Sequence, residues 1–149
     1  FIPASGSGSR MFKVFFDFLS ASEQEKFGVQ ENLAKDIIAD IKKLGIASML
    51  NAELTELLDS GEEGFAETIV KAFIDKSQLD LSAQPKGLIP FHLYDNQILN
   101  PFQEHLIHSK TVGNLKSQIH FTINKSFENQ IVQSIDELNF EMKNVDLID

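Results

Sequence analysis

The sequence predicts an α/β protein in which a parallel sheet is interrupted by a mainly helical insertion. Residues 85–149 alternate between strand-like and helix-like segments, and this spacing is typical of βαβ units with parallel strands. Residues 12–84 show only helical periodicity, and residues 1–11 combine a short apolar start with a loop of glycine and serine. We therefore expect an incomplete α/β core formed by residues 1–11 and 85–149, with a separate helical insertion at residues 12–84.

Composition limits the class of protein. The chain has 149 residues, 42% of them hydrophobic, and its 13 phenylalanines require a buried core. The formal net charge is −9 and Arg10 is the single arginine, so we expect no nucleic-acid partner, because such binders usually have a basic surface rich in arginine. No apolar run approaches the roughly 20 residues of a bilayer span, so no membrane partner is expected. The absence of cysteine excludes disulfides and fits a cytoplasmic location.

Apolar residues in the insertion recur at the spacing of four amphipathic helices. Ser22 and Glu25 predict a capping box before the second helix, Gly45 predicts its end, and Asn51 is expected to cap a third helix that ends before Gly61. The predicted inner faces are, in order, Met11, Phe12, Phe15, Phe16 and Leu19; Leu33, Ile37, Ile38, Ile41 and Leu44; Leu54, Leu57 and Leu58; and Phe65, Ile69, Ala72 and Phe73. The insertion has seven lysines and fourteen acidic residues, so it carries −7 of the net charge.

The C-terminal stretch predicts strands and helices in alternation. Residues 88–94 suit a strand that ends at the turn pair Asp95-Asn96, and Asn100-Pro101 is an N-cap followed by proline at the first helical position. Residues 118–124 alternate apolar and polar side chains as a half-buried strand does, and residues 145–148 suit a further strand. Ser126 is expected to cap the long helix between them. The inner face of that helix is predicted to comprise Phe127, Ile131, Ile135, Leu138 and Met142.

The first motif with chemical content is the loop P-A-S-G-S-G-S-R-M at residues 3–11. Glycines let backbone N–H groups approach an oxyanion closely, and a following helix adds unpaired N–H donors, so the loop suits a phosphate. Arg10 can grip phosphate oxygens with two parallel hydrogen bonds. The same composition is typical of a flexible linker, and the loop is neither a Walker loop nor a three-glycine dinucleotide fingerprint. Taken alone, the segment leaves linker and binding loop equally open.

A second motif, P-K-G-L-I-P at residues 85–90, follows the insertion. Together the two motifs resemble the sugar-phosphate nucleotidylyltransferases, in which a strand leads into A-A-G-x-G-T-R-M and then P-K-x-L-L-P. The matching positions are Ala4, Gly6, Gly8, Arg10, Met11, Pro85 and Lys86, with Ser9 in place of threonine and Ser5 in place of alanine. The resemblance implies a Rossmann-like parallel sheet, part of a three-layer sandwich. The 73 residues between the motifs are the main departure, because that superfamily usually has only a short loop there.

The large insertion narrows the resemblance further. The segments P-A-S-G-S-G-S-R-M-F-K and P-K-G-L-I-P-F-H, so separated, resemble an uncharacterised bacterial family labelled domain of unknown function 4301. Chains of that family are considerably longer, which implies that this chain is an amino-terminal portion. On this basis residues 1–2 are expected to end a truncated first strand.

The resemblance also implies roles for individual residues. The implied nucleotide-binding residues are Ala4, Ser5, Gly6, Ser7, Gly8, Ser9 and Arg10, and the implied catalytic residues are Arg10 and Lys86. Arg10 is expected to neutralise the phosphates that leave as pyrophosphate, and Lys86 to lie near the α-phosphate and the incoming phosphate, where it stabilises the charge that grows in the transition state. The implied reaction transfers an NMP unit from an NTP to a phosphorylated small molecule, above all a sugar phosphate, with Mg²⁺ as cofactor. No metal ligand is assigned, because the aspartate of that superfamily is expected beyond residue 149.

Other functions stay open at this point. One is a non-catalytic nucleotide-binding or regulatory module that keeps the loop. Another is an acidic interaction domain whose insertion docks a partner protein, although a solvated helical surface has the same composition. Glu104, His105 and His108 share a predicted helix at a spacing that can ligate a metal, but a surface helix explains them equally well. His92 and His120, in predicted strands, are expected to be hydrogen-bonded without a further role.

Overall fold

The computed structural model describes residues 2–3, 6–21, 29–61, 65–94, 97–112, 118–138 and 145–148. The chain divides into two compact units. Residues 1–7 and 84–149 form the first, which is mixed α/β and is called the α/β unit below. Residues 8–83 form the second, called the helical unit.

A small parallel sheet organises the α/β unit. Its strands β1 (Ile2–Pro3), β4 (Ile119–Thr122) and β5 (Val145–Ile148) pair in the order β1-β4-β5, with Pro3 opposite Thr122 and Thr122 opposite Ile148. Ile119 and Phe121 are buried while the residues between and after them are half-buried, which is the alternation that the sequence predicted for this strand. The strand predicted at residues 145–148 is confirmed.

A hairpin and a helix precede the central strand. Strands β2 (His92–Tyr94) and β3 (Gln97–Leu99) are antiparallel, and helix α5 (Pro101–Val112) follows directly. The strand predicted over residues 88–94 is therefore too long. The segment Lys86–Leu88 is a 3₁₀ turn, because the N–H of Leu88 donates to the carbonyl of Pro85 and that of Ile89 to the carbonyl of Lys86, so these donors are used locally. The predicted turn pair Asp95-Asn96 lies outside the described residues.

The core of the α/β unit lies between the parallel sheet and two helices. Helix α6 (Glu128–Asp136) connects β4 to β5 in the chain and packs against α5. The aromatic rings of Phe102 and Phe121 meet edge to face, with centroids 4.9 Å apart and planes inclined at 75°. The buried members of this core are Phe102, Leu106, Ile119, Phe121, Ile123, Ile131, Ile135 and Val145.

The start of α6 differs from the prediction. Ser126 does not cap α6, whose N-cap position is Phe127 without a side-chain cap; Asn124 instead caps the preceding turn, since its Oδ1 accepts a hydrogen bond from the N–H of Ser126 at 3.0 Å. A 3₁₀ turn, Lys125–Phe127, then leads into α6. The carboxamide of an asparagine can accept from a backbone N–H two residues ahead, and this hydrogen bond closes a turn. The predicted inner face is confirmed at Ile131 and Ile135, whereas Met142 lies outside the described residues.

The described part of the helical unit contains four α-helices: α1 (Lys13–Ser20), α2 (Val29–Ile41), α3 (Ala52–Ser60) and α4 (Ala66–Ile74). Helix α4 contacts the other three and contains the fully buried residues Ile69, Val70 and Phe73. The predicted ends of α3 are confirmed: Asn51 Oδ1 accepts from the N–H of Leu54 at 2.9 Å, and Gly61 adopts a left-handed φ of 67°. None of the described helices combines the length and the apolar character needed to traverse a membrane.

Two predictions for this unit were wrong, and one lies outside the described residues. Helix α1 buries Phe15 and Phe18, whereas Phe16 and Met11 are 40% and 42% exposed. The buried face thus follows Phe12 at intervals of three residues, and the predicted face is wrong at Phe16 and Met11. Gly45 does not end α2, which stops at Ile41. The buried glycine instead begins a 3₁₀ turn, Gly45–Met49. The capping box predicted at residues 22 and 25 falls outside the described part of the chain.

Candidate functional site

Backbone contacts join the two sequence motifs at the start of the α/β unit. The N–H of Lys86 donates to the carbonyl of Gly6 at 2.9 Å, and Ser7 forms an antiparallel bridge with Pro85. Gly6 and Ser7 follow β1, so this pairing lies just beyond the carboxyl end of a strand of the parallel sheet. Two segments separated by the whole insertion in sequence are therefore adjacent in the fold.

Gly6 and Gly87, one in each of the two motifs, have different surroundings. A Cβ built at Gly87 would lie 2.4 Å from Cε2 of Phe102, so the packing of that ring excludes any side chain. Gly6 is exposed, and a Cβ there would meet nothing within 4 Å. Folding therefore explains Gly87, whereas the open space at Gly6 lies in a segment for which the resemblance implies phosphate binding.

The remainder of the glycine loop belongs to the helical unit and forms a turn before α1. The N–H of Met11 donates to the carbonyl of Gly8 at 2.8 Å, and Gly8 is buried while Ser9 and Arg10 are exposed. Arg10 is thus held at a turn rather than inside the helix. The predicted binding residues Ala4 and Ser5 lie outside the described residues.

The predicted catalytic side chains are exposed cations without a protein partner among the described residues. Neither the guanidinium of Arg10 nor the ammonium of Lys86 has a hydrogen bond or ion pair there. Other basic residues differ: Lys13, Lys43 and Lys71 lie 2.5, 3.1 and 2.6 Å from carboxylates three or four residues away. As far as the described residues go, no ion pair has to be broken before Arg10 or Lys86 binds an anion.

Glu104, which the sequence offered as a metal ligand, has a different role. Its carboxylate accepts a hydrogen bond from the hydroxyl of Tyr94 and lies 2.9 Å from Nε2 of His92, so it ties the β2–β3 hairpin to α5. The hydrogen bond to Glu104 raises the pKa of Tyr94 above its ordinary value. His105 and His108 are exposed, and no group of three or more potential ligands that could hold a metal occurs within the described residues.

A buried polar network at the start of α5 was missed by the sequence reasoning. Asn100 Oδ1 accepts from the N–H of Gln103 and Gln103 Oε1 accepts from the N–H of Asn100, each at 3.0 Å, which is a reciprocal capping box. Nδ2 of Asn100 also donates to Oγ of Ser134 at 2.5 Å, and Nε2 of Gln103 donates to the carbonyl of Ser134 at 2.9 Å. The N-x-x-Q spacing could have identified the box, but no local signal identifies Ser134.

Comparison with known proteins assigns the chain to a family. The family model described as Domain of unknown function (DUF4301) matches residues 1–148. The chain belongs to this family. No curated protein and no solved structure matches the chain.

The described residues at the carboxyl edge of the sheet in this DUF4301 member do not by themselves fit Mg²⁺. Magnesium takes oxygen ligands, with one or two carboxylates as its usual protein donors. The described residues 6–7, 85–88 and 123–127 offer hydroxyl, amide and carbonyl oxygens but no carboxylate. No chemical step is therefore assigned to a metal ion held by these segments.

Proposed function

We propose that this chain forms the nucleotide-binding part of a nucleotidyltransferase-like protein. It would transfer an NMP unit from an NTP to a phosphorylated small molecule, above all a sugar phosphate, and release pyrophosphate. The observation that carries the proposal is the backbone pairing of Gly6 and Ser7 with Pro85 and Lys86. That pairing brings the segments resembling A-A-G-x-G-T-R-M and P-K-x-L-L-P into contact after an insertion has separated them in sequence.

The location of this pairing suits a nucleotide. In open α/β sheets, ligands bind in the crevice beyond the carboxyl ends of the strands. Gly6 lies beyond the carboxyl end of β1, and a Cβ built on it would meet nothing within 4 Å. We propose that the three parallel strands belong to a Rossmann-like sheet and that phosphates approach the backbone at Gly6.

Arg10 and Lys86 would stabilise the charge that moves during transfer. A phosphate oxygen of the acceptor attacks the α-phosphorus in line and forms a new P–O bond, while the bond from the α-phosphorus to the bridging oxygen breaks. Both electrons of the broken bond leave with pyrophosphate. Arg10 would neutralise the departing phosphates, and Lys86 would stabilise the growing charge at the α-phosphate.

Calorimetric titration of the chain with ATP, GTP, CTP and UTP, each as its magnesium complex, tests the binding step. We expect one NTP to bind, and Arg10→Ala or Lys86→Ala to weaken it by about tenfold to a hundredfold, because each removes a charge-assisted hydrogen bond worth roughly 1.5–3 kcal/mol. Lys76→Ala is the matched control, since Lys76 is also exposed and without a partner among the described residues but lies after α4. Thermal unfolding should be nearly the same for all three variants.

Pyrophosphate release in the presence of that NTP and a panel of sugar 1-phosphates tests the transfer step. Release that disappears in Arg10→Ala and Lys86→Ala, with folding retained, would support the proposal. Failure of every NTP to bind, or equal affinity in both variants and the wild type, would contradict it. Binding without release for any acceptor would contradict transfer and favour a non-catalytic nucleotide-binding module.

A further inference from the structure

We infer that Lys125 forms a second phosphate-binding position, which takes the monophosphate of the acceptor. The inference rests on the proposed function, because it assigns a residue to the second substrate of that reaction. The observation behind it is a juxtaposition at one edge of the parallel sheet: Gly6 follows β1, Lys86 is hydrogen-bonded to Gly6, and Lys125 follows β4.

Strand register places Lys125 at the same edge as the glycine loop. Strands β1 and β4 are adjacent and parallel, with Pro3 opposite Thr122, so both chains leave the sheet on one side. Gly6 is the third residue after Pro3, and Lys125 is the third residue after Thr122. Paired strands are about 4.8 Å apart, so the two segments leave the sheet from neighbouring strand ends.

The backbone at Lys125 is held while its side chain is exposed. Asn124 Oδ1 accepts from the N–H of Ser126, and the carbonyl of Asn124 accepts from the N–H of Phe127, both at 3.0 Å. Phe127 packs against the core of the α/β unit. The ammonium of Lys125 has no hydrogen bond or ion pair within the described residues, although Glu128 follows three residues later. Lys125 is therefore presented from a fixed turn as a cation that no described residue neutralises.

Placement separates Lys125 from the other described lysines of the α/β unit. Lys110 lies in the last turn of α5, and the chain after it enters β4 at Ile119, so it precedes the amino end of that strand. Lys86 is expected near the α-phosphate and the incoming phosphate, at the pairing with Gly6. Lys125 is thus a second described lysine at the carboxyl edge, and it would add its charge to that of Lys86 on the acceptor side.

The negative charges of the two reactants are the reason why a further cation would help at this edge. A phosphomonoester carries about −1.5 to −2 charges at pH 7, and it must approach an NTP that is itself strongly anionic. Two such anions repel each other at close range unless cations lie between or beside them. An ammonium group binds phosphate as a compact point charge, so Lys125 would favour the approach of the acceptor.

Titration with inorganic phosphate, in the absence of magnesium, tests the position with a probe of the same chemistry. We expect saturable binding with a Kd in the millimolar range, weakened about tenfold in Lys125→Ala and restored within about threefold in Lys125→Arg. Lys76→Ala should bind phosphate like the wild type. Affinity for the magnesium NTP should change less than about threefold in Lys125→Ala, since the nucleotide is assigned to Gly6, Arg10 and Lys86.

The two titrations distinguish failure of this inference from failure of the proposed function. Phosphate affinity that is equal in Lys125→Ala and the wild type, or no saturable phosphate binding by the wild type, would overturn the inference while NTP binding still supported the proposed function. Absence of NTP binding by the wild type would instead contradict the proposed function itself. Equal thermal unfolding of the lysine variants excludes a folding defect as the cause of weaker binding.

Discussion

Substitution of Gly87 by alanine tests how the P-K-G-L-I-P segment is supported. A Cβ at this position would lie 2.4 Å from Cε2 of Phe102 and 2.8 and 2.9 Å from Cδ2 and Cζ. Non-bonded carbon atoms do not approach so closely, so the ring of Phe102 must move. Phe102 is 1% exposed, and its ring lies edge to face against Phe121, which is itself fully buried. The ring therefore has little room, and we expect the strain to spread into the core.

The size of the effect follows from two opposing terms. Forcing additional atoms into a close-packed core costs about 1–3 kcal/mol. Alanine also restricts the unfolded chain more than glycine does, which returns about 0.4–1 kcal/mol where the backbone conformation suits both residues. We expect Gly87→Ala to lower the free energy of unfolding by about 1–2 kcal/mol, the difference between these terms.

Urea unfolding followed by circular dichroism measures this difference, and Gly6→Ala provides a matched control. Gly6 belongs to the same pairing, but a Cβ there has nothing within 4 Å, so its variant should be as stable as the wild type or up to about 1 kcal/mol more stable. Adding Phe102→Leu to Gly87→Ala should show a favourable coupling of at least about 0.5 kcal/mol, because the smaller side chain relieves the overlap. Equal stability of Gly87→Ala and Gly6→Ala would refute the packing argument.

Two further predictions concern side chains that link elements of the α/β unit or cap helices. Tyr94 is the only tyrosine and the chain has no tryptophan, so the absorbance of tyrosinate reports this residue alone. Glu104→Ala should lower the pKa of Tyr94 toward the ordinary value near 10. An unchanged titration midpoint of Tyr94 would contradict the assigned hydrogen bond. Because the pKa of Tyr94 is raised in the folded state, the stability contributed by this bond is complete below about pH 10 and is lost as pH rises through the folded-state pKa. Asn100→Ala removes a buried cap and the hydrogen bond to Ser134, so it should lower the free energy of unfolding in urea by about 2–3 kcal/mol. Asn51→Ala, which removes an exposed cap, should lower it by about 1 kcal/mol. Equal losses of stability would show that the buried hydrogen bond contributes nothing.

Helix ends were predictable where a cap acts over a few residues. Asn51 and Gly61 bound α3, and Asn100 with Pro101 opens α5, because the side-chain acceptor and the N–H that it satisfies lie within three positions. Where two cap formers compete, the sequence is not enough. Ser126 was predicted to cap α6, but that helix has no side-chain cap, and Asn124 instead caps the 3₁₀ turn that precedes it.

Buried faces were predictable only in part. Phe12 and Phe15 are buried as expected, but Phe16 is exposed and Phe18 is buried in its place. Several phenylalanines in one short helix satisfy more than one helical face equally well. The choice between faces depends on what packs against the helix, and here the ring of Phe73 from α4 lies 6.2 Å from that of Phe15. A contact between distant segments is not visible in local periodicity.

By itself, the sequence determined the two glycine-containing motifs, the cations Arg10 and Lys86 within them, and the local caps, because each depends on residues close together in the chain. The tertiary structure alone decided that Gly6 meets Lys86 through a hydrogen bond, that Gly87 is required by Phe102, and that Ser134 completes a buried network. These contacts join segments that are far apart in the chain, and they form only when the core brings strands and helices together. Long-range packing therefore separates a glycine that the core requires, Gly87, from one whose Cβ position is open, Gly6.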